Sequence, residues 1–427
     1  MVLPQSHRRS LKPKASSLKS AFVRAPRIPH HVPMTHRQLK TGYFALAGLN
    51  TVASSYYFNY LFFFLRDHFG FGNKENLCVS ALHGLVYVVA AVQCGKFAQR
   101  RGNLLSLKLG FAGLAASMVI GGFLQGTAAL LALVVGYTIV LLFTWPALES
   151  LVSERESRSG VQQMVGIYNC TWAGSAALAY FTGGKLYDAL GRGAIFWLPA
   201  AMFASQLVLT LWLDKFHAAV LAAAPTPPKE NHHSPEAAVL NQRISPKAFL
   251  KMAWLASPFA YIAINTLLAV MPGIAGKLGL SPTRVGLFCS LWFFGRFAAF
   301  FLLWKWAGWH YRFRWLLGAF LMLIGSFATI LLAGELWIIV LAQVFFGFAT
   351  GLIYYSSLFY AMDVGEASSE HSGLHEAFIG LGIFAGPAVG ALALQLAPNN
   401  PNAGTWAVCA LLGCGLIGLI WVRMRRD

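Results

Sequence analysis

Apolar and polar stretches alternate along the whole chain, and the apolar ones are long. Twelve of them follow one another, at 42–65, 76–95, 104–124, 129–152, 163–187, 194–214, 248–271, 283–304, 314–333, 336–360, 371–397 and 404–423. Most are close to the roughly 20 residues with which an α-helix crosses about 30 Å of hydrocarbon. The pattern therefore predicts an all-α membrane protein of 12 transmembrane helices.

A polar segment at 215–247, rich in proline, separates the first six spans from the last six. Proline clusters and low hydrophobicity argue against a packed core in this segment. We therefore predict four parts. They are a disordered basic tail at 1–41, a six-helix bundle at 42–214, a linker at 215–247, and a second six-helix bundle with a short tail at 248–427.

The composition agrees with a lipid environment. Hydrophobic residues make up 57% of the chain and charged residues 11%, whereas a soluble domain carries about 25% charged residues. So few charges cannot cover a water-facing surface, and lipid is therefore expected to contact much of the protein. The six cysteines lie in or beside apolar spans, with no CxxC pair and no histidine at ligand spacing. Neither a disulfide framework nor a metal site is predicted, and no cofactor is expected.

The basic residues indicate the orientation. With the amino terminus placed in the cytoplasm, 26 Lys and Arg fall on the cytoplasmic side, 6 on the opposite side and 1, Arg296, within a span. This excess follows the positive-inside rule and predicts cytoplasmic amino and carboxyl termini. The net charge of +18 is thus mostly a matter of topology. Dispersed over loops, these cations favour contact with anionic lipid in a plasma (bacterial inner) membrane, and nucleic-acid binding is not predicted.

The amino-terminal tail contains no acidic residue, since the first one in the chain is Asp67. No apolar core of a secretory signal precedes residue 41, and a cleaved signal is not expected. We expect a cationic tail lying on the cytoplasmic membrane surface. Two alternatives stay open: an organelle transit peptide, which shares this composition, and a true start at Met34.

The two halves of the chain match each other. A shift of 209 residues places Lys96-Phe-Ala on Lys305-Trp-Ala, and a shift of 206 places Asn169-x-x-Trp-x-Gly on His375-x-x-Phe-x-Gly. Each matched piece has the same position within its helix. A parallel repeat about a pseudo-two-fold axis along the membrane normal is one of the symmetries of secondary transporters.

Over about residues 42–423 the chain resembles the major facilitator superfamily. The loop signature of that family, Gly-x-x-x-Asp-Arg-x-Gly-Arg-Arg, corresponds here to Gly95-Lys-Phe-Ala-Gln-Arg100-Arg-Gly102-Asn, with Gln99 in place of the acid. The Gly-Pro-rich motif of the family corresponds to Gly382-x-x-x-Gly386-Pro387-x-x-Gly390. The resemblance implies a gating role for Gly95, Arg100, Gly102, Gly386 and Pro387. It also implies that a gate without the acid is latched differently.

The fifth span carries Tyr180-Phe-Thr-Gly-Gly at the place that matches the Gly-Pro motif, without the proline. In the family, Gly-Pro at this place is associated with proton antiporters. The resemblance therefore argues against drug/proton antiport.

Three acidic or basic positions within spans are candidates for chemistry, since a charge deep in a membrane is costly and usually functional. Arg296 holds an anionic substrate group or pairs with an acid, and the alternative is that it extends towards the lipid headgroups. Glu376 with His375 is the proton-coupling candidate, because a buried carboxylate and a histidine both exchange protons near neutral pH. The alternative for Glu376 is stabilisation of a helix amino terminus. Glu149, after a kink expected at Pro146, is predicted to lie near the membrane interface and to act in a gate or a loop salt bridge, with a substrate role as the alternative.

Polar and aromatic residues concentrate in the helices that line the cavity of this family, and such side chains suit a partly polar solute. The alternative is that they join helices to one another or form interfacial belts. The predicted substrate-binding residues are Asn50, Tyr57, His83, Tyr87, Tyr168, Asn169, Trp172, Asn265, Trp292, Arg296 and Tyr355. Further polar and aromatic residues of the same helices are Ser54, Ser55, Tyr56, Asn59, Tyr60, Tyr261, Tyr354, Ser356, Ser357 and Tyr360.

These features predict a secondary active or facilitative transporter that moves a small organic solute by alternating access, with protons as the candidate coupling ion. No phosphate-binding loop suggests ATP-driven transport, no spacing suggests an embedded hydrolase, and a monomer is expected. The alternative is a transporter-like receptor or scaffold without transport, which would signal through the tail or the linker.

Overall fold

The computed structural model describes residues 34–224, 245–363 and 369–425 of the 427-residue chain. The predicted tail up to residue 33, residues 225–244 of the predicted linker and residues 364–368 lie outside the described residues.

Every regular element among the described residues is a helix. The α-helices are α1 (His36–Phe69), α2 (Asn73–Arg101), α3 (Asn103–Phe123), α4 (Thr127–Leu141), α5 (Trp145–Ser153), α6 (Arg158–Leu190), α7 (Arg192–Ala223), α8 (Pro246–Lys277), α9 (Pro282–Cys289), α10 (Leu291–Lys305), α11 (Phe313–Leu332), α12 (Leu336–Asp363), α13 (Ser369–Leu396) and α14 (Ala403–Met424). A short 3₁₀ turn at Ala307–Trp309 joins α10 to α11. All 12 predicted spans are helical, and the fold class is confirmed.

Within the described residues, ten spans are long and apolar enough to cross a membrane. The other two, α1 and α6, have 34 and 33 residues and are therefore also long enough, but they carry more polar side chains. Several of those polar side chains face the interior of the protein, as shown below. Lipid-facing positions are apolar, with Phe123, Trp337 and Leu396 each more than 70% exposed.

Helix ends follow local sequence signals. Thr35 and Gln38 form a reciprocal cap at the start of α1, in which the Gln38 backbone N–H donates to Thr35 Oγ1 at 3.2 Å. Gly70 ends α1 in the left-handed conformation, with φ +68°, which costs glycine little. Several helices extend beyond the predicted spans. In particular, α7 continues to Ala223, so helix occupies the first nine residues of the predicted linker.

Two spans are interrupted close to the middle of the protein. The fourth span consists of α4 and α5, with a break at residues 142–144 just before Pro146. A break there agrees with the kink predicted from the proline. The eighth span, predicted as continuous, is broken at Ser290 between α9 and α10. Each break is followed within two residues by a tryptophan, Trp145 or Trp292, that lines the central cavity.

The halves meet along two symmetric interfaces, α2 with α13 and α6 with α9 and α10. Glycines make the close approach possible: a Cβ placed on Gly380 of α13 would meet the Val88 nitrogen of α2 at 2.9 Å. A Cβ on Gly174 of α6 would meet the Phe297 ring of α10 at 3.4 Å. Gly174 and Gly380 are separated by 206 residues, and Val88 and Phe297 by 209. The two contacts are therefore equivalent under the shifts found in the sequence, as a pseudo-two-fold arrangement requires.

Candidate functional site

A cavity of about 170 Å³ lies between the two halves and is bordered by helices of both. Its lining combines aromatic rings, small hydroxyls, one arginine, one histidine and two glutamates. The lining residues are Ser54, Ser55, Phe58, Asn59, Phe62, Ser80, His83, Tyr87, Leu141, Trp145, Glu149, Tyr168, Trp172, Ala176, Tyr261, Ile264, Asn265, Leu268, Trp292, Phe293, Arg296, Tyr354, Glu376, Ile379 and Ile383. A mostly apolar cavity with a few convergent polar groups is typical of a small-molecule site.

Arg296 of α10 is the cation of this cavity, and its side chain is 2% exposed. Its Nη2 donates a hydrogen bond to the Tyr261 hydroxyl at 3.2 Å. The guanidinium lies over the ring of Trp172 at 4.5 Å from the centroid and over that of Tyr354 at 4.9 Å. Such contacts with ring faces stabilise a desolvated cation and fix the plane of the guanidinium. Arg296 is therefore held inside the protein and does not extend to the headgroups.

Among the residues that the structure describes, no carboxylate pairs with the charge of Arg296. Among the described residues no Asp or Glu oxygen lies within 4 Å of its guanidinium, and its Nε has no hydrogen-bond partner. A buried cation without a counter-ion is costly. The cavity thus holds an oriented positive group with unused donor capacity, which suits a carboxylate, sulfonate or phosphate.

The acidic side of the cavity is a cluster of three side chains, Glu149 of α5 with His375 and Glu376 of α13. One imidazole nitrogen and one oxygen from each carboxylate all lie within 4.8 Å of one another. Glu376 is 5% exposed and accepts a hydrogen bond from the Tyr87 hydroxyl of α2. His375 Nε2 and Ser357 Oγ are 3.1 Å apart. The cluster therefore brings together titratable groups of both halves.

Glu149, which we predicted near the membrane interface, lines the central cavity. The break between α4 and α5 and the short length of α5 set this position, because the chain restarts as a helix at Trp145 inside the protein.

Seven of the 11 predicted substrate-binding residues line the cavity: His83, Tyr87, Tyr168, Trp172, Asn265, Trp292 and Arg296. His83 Nδ1 is 2.7 Å from the Thr138 hydroxyl, which orients its ring against Tyr87. Asn265 Nδ2 donates to the Tyr261 carbonyl at 3.1 Å.

The other four lie outside the cavity lining. Tyr57 is buried inside the first half, with its ring 4.7 Å from that of Tyr137. Asn50 donates to Thr144 Oγ1 at 3.1 Å and so joins α1 to the start of α5. Asn169 is fully buried with its amide unpaired. Tyr355 lines a separate depression with Trp304 and Phe359.

The predicted gating residues take several environments. Gly95 lies against Gly373 of α13, where a Cβ on Gly373 would meet the Gly95 Cα at 3.1 Å. Arg100 is exposed at the end of α2, and Gly102, with φ +97°, turns the chain between α2 and α3. Gly386 packs on the Ile262 carbonyl of α8. Pro387 lies inside α13.

Eleven lining residues were not predicted as part of the site: Phe58, Phe62, Ser80, Leu141, Trp145, Ala176, Ile264, Leu268, Phe293, Ile379 and Ile383. Helical spacing contains a signal for some of them. Phe58 and Phe62 are three to four residues from Ser55 and Asn59, and Ser80 is three residues before His83, so each shares a helix face with a predicted residue.

Contacts between the halves lie on both sides of the cavity. The rings of Trp172 and Tyr354 stack with centroids 5.7 Å apart and planes 13° apart, which joins α6 to α12. At the opposite end, Asp188 Oδ2 accepts a hydrogen bond from the Thr283 backbone N–H at 2.9 Å. Arg66 Nη1 donates to the Pro272 carbonyl at 2.8 Å. The residues of the last two pairs lie at or just beyond the ends of predicted spans, and the sequence analysis did not identify these contacts.

Comparison with solved structures gives the same architecture. A bacterial homolog of the human lysosomal transporter Spinster, in an inward-facing and unoccupied conformation, is 14% identical with a TM-score of 0.59, over 90% of this chain and 93% of that one. The nucleoside transporter NupG is 14% identical with a TM-score of 0.61, over 90% and 99%. The human organic anion transporter MFSD10 (TETRAN) is 17% identical with a TM-score of 0.61, over 89% and 99%. These identities establish the fold alone.

A search of curated protein sequences gives no match to this chain. The sequence model of the Major Facilitator Superfamily, in contrast, matches residues 43–272, which is more than half of the chain. With the 12 helical spans in two related halves and the cavity between them, this match settles the family. The chain belongs to the major facilitator superfamily and is a multi-pass membrane protein of a transporter family.

Proposed function

We propose that the chain moves a small organic anion together with protons across a plasma membrane, by alternating access between its two halves. Arg296 carries this proposal, because it is a buried cation in the cavity with no carboxylate among the described residues within 4 Å. An anionic group of the solute would supply the missing counter-ion. The aromatic rings around the guanidinium would contact the apolar part of the same solute.

The charges of the cavity support coupling to protons. The lining described here holds Arg296, Glu149 and Glu376, which give a formal charge of −1 when all three are ionised. An anion entering that cavity is repelled by the two carboxylates. One proton on the cluster brings the formal charge to zero and favours binding of the anion. Proton and anion are then expected to bind together, and the protein would act as a symporter, with Glu376 and His375 as the coupling pair.

Alternating access is supported by the paired interfaces between the halves. Contacts on both sides of the cavity join the same two bodies, so that opening one side requires contacts such as Trp172–Tyr354 or Asp188–Thr283 to separate. In this proposal the two halves rock about the cavity as rigid bundles. The distribution of Lys and Arg supports cytoplasmic termini.

One of the similar structures is an organic anion transporter. That agreement is in line with the proposal, but at 17% identity it shows a common fold only. The argument for an anion therefore depends on Arg296 in this chain.

The test is a thermal-shift screen of the detergent-purified protein against monocarboxylates, dicarboxylates, sulfonates, organic phosphates, sugars, nucleosides and cationic amphiphiles at pH 5.5 and 7.5. We expect stabilisation by one anionic class, stronger at pH 5.5. Arg296→Gln is expected to abolish it and Arg296→Lys, which keeps the charge but not the planar stacking, to retain part of it. Stabilisation only by neutral or cationic compounds, unchanged in Arg296→Gln, would contradict the proposal.

Coupling is tested in vesicles with the anion identified by the screen. An inward proton gradient should drive its accumulation by the parent protein. Glu376→Gln, which keeps the size of the side chain, should bind the anion yet no longer accumulate it. Accumulation by this variant equal to that of the parent protein would exclude Glu376 as the coupling residue.

A further inference from the structure

The cluster of Glu149, His375 and Glu376 has the donor atoms of a metal site, although the sequence predicts none. Its three donor atoms, one nitrogen and two carboxylate oxygens, lie within 4.8 Å of one another. Ligand atoms around a tetrahedral zinc ion are about 3.4 Å apart when each metal–ligand distance is about 2.1 Å. A movement of the side chains by roughly an ångström would bring all three into contact with one ion.

The hydrogen bonds of His375 set its tautomer. Ser357 has a single hydroxyl proton, which it donates to the Tyr354 carbonyl at 2.8 Å. With that proton on the Tyr354 carbonyl, the 3.1 Å contact between Ser357 Oγ and His375 Nε2 uses a proton on Nε2. In the neutral ring this leaves a lone pair on Nδ1, the form in which a histidine binds a metal.

His375 Nδ1 is buried without a hydrogen-bond partner, in a side chain that is 6% exposed. A buried nitrogen lone pair without a hydrogen-bond donor is energetically unfavourable and needs an explanation. The second ligand, Glu376, already accepts the hydroxyl proton of Tyr87. Both ligands on α13 thus have the outer hydrogen bonds that orient the ligands of metal sites.

We propose that Glu149, His375 and Glu376 bind a divalent transition-metal ion such as Zn²⁺ or Mn²⁺, and that the ion links the two halves. Glu149 comes from α5 of the first half, and His375 and Glu376 come from α13 of the second. Imidazole nitrogen with carboxylate oxygen is a donor set that suits Zn²⁺ and Mn²⁺ better than Ca²⁺ or Mg²⁺. The ion neutralises the two carboxylates and holds the contact between α5 and α13.

This site shares Glu376 and His375 with the proposed coupling pair, but metal binding is measured without transport. The full chain, with any histidine tag removed, is freed of metal and titrated with MnCl₂ and ZnCl₂ by calorimetry at pH 7.5. We expect about one ion per chain, with affinity weakened by roughly 10- to 100-fold in Ser357→Ala, which removes an outer hydrogen bond. Glu149→Gln and Glu376→Gln, which each replace a carboxylate ligand, should weaken the affinity for the metal ion further. Glu75→Gln, outside the cavity at the start of α2, is the matched control and should bind as the parent protein does.

Electron spin-echo spectroscopy of Cu²⁺ bound to the unaltered protein avoids any question of folding in the variants. It should show one imidazole nitrogen among the ligands. Absence of stoichiometric binding, binding unchanged in Glu149→Gln and Glu376→Gln, or a copper spectrum without nitrogen would each overturn the proposal. A protein that binds metal but moves no anion with protons would contradict the proposed function alone. A protein that moves an anion with protons but binds no metal would contradict the metal site alone.

Discussion

The hydroxyl of Tyr87 in the first half donates a hydrogen bond to Glu376 Oε2 in the second half. Both side chains are buried, at 6% and 5% exposure. A hydrogen bond to a charged group in such surroundings contributes about 1.5–3 kcal/mol. Because its two partners belong to different halves, this contact exists only while α2 and α13 stay in register. It therefore contributes to which conformation of the protein is populated.

Tyr87→Phe tests this contribution, since it keeps the ring and removes only the donor. We expect the equilibrium to shift by about 1.5–3 kcal/mol, roughly a tenfold or larger change in populations, away from the conformation described here. Spin labels on α2 and α13, with distances measured by double electron–electron resonance, would detect a new or larger second distance population. Tyr137→Phe is a control, because Tyr137 is equally buried but lies within the first half. Equal distance distributions in Tyr87→Phe and the parent protein would show that the bond has no such effect.

The glycine contact between α2 and α13 gives a second prediction. A Cβ on Gly84 would overlap the backbone of Ile383 and Phe384, and backbone cannot move aside as a flexible side chain does. Gly84→Ala should therefore lower the melting temperature by several degrees, consistent with an overpacking cost of about 1–3 kcal/mol. Gly325→Ala in α11 is the matched control, because nothing lies within 4 Å of its added Cβ. It should be neutral or slightly stabilising, since alanine favours helix by up to about 1 kcal/mol. Similar melting temperatures for both variants would contradict the close packing.

Much of the fold could be predicted because lipid imposes a simple rule on sequence. About 20 consecutive apolar residues in a membrane must satisfy their backbone hydrogen bonds internally, which favours a helix. The 12 segments from 42–65 to 404–423 are all helical. The interruption at Ser290 was not predictable in this way. No proline lies at that point, and hydropathy is the same whether a helix continues or restarts.

The site was harder to predict than the fold. A polar residue within a span is expected to face the interior of the protein, but the sequence does not show whether it faces the cavity or another helix of the same half. Arg296 and Glu376 were identified since a charge has few stable environments in a membrane. Tyr57 and Tyr168 look alike in sequence, yet one packs inside a half and the other lines the cavity. The difference depends on helix rotation, which neighbouring helices set.

Lys40 of α1 forms hydrogen bonds with the carboxyl end of α5 in the first half. Its Nζ donates to the carbonyls of Leu151 and Val152 at 3.0 and 2.9 Å and lies 3.6 Å from a Glu156 oxygen. Lys40→Met should destabilise the protein by about 2 kcal/mol or more, because buried carbonyls and a carboxylate lose their partner.

The matched control for Lys40 is Lys74, whose ion pair with Glu75 is more than 40% exposed on both sides. Lys74→Met should change the free energy of unfolding by less than about 1 kcal/mol. Unfolding of both variants in mixed detergent measures the difference. If the two changes in free energy are equal, Lys40 is not an anchor of α5.

The last prediction concerns Trp172, which contacts Arg296 with one face of its ring system and Tyr354 by stacking. A desolvated cation–π contact contributes about 0.5–2 kcal/mol. Trp172→Leu should therefore weaken binding of the anion identified by the screen by roughly 2- to 30-fold, because the guanidinium loses the surface that fixes its plane. The stack also joins α6 to α12, so the same variant should loosen that side of the protein and speed exchange of bound anion. Trp337→Leu is the control, since Trp337 is 71% exposed to lipid. Calorimetry measures the affinity of Trp172→Leu, Trp337→Leu and Arg296→Gln for the anion. An affinity in Trp172→Leu equal to that of the parent would show that the guanidinium binds the anion without help from the ring.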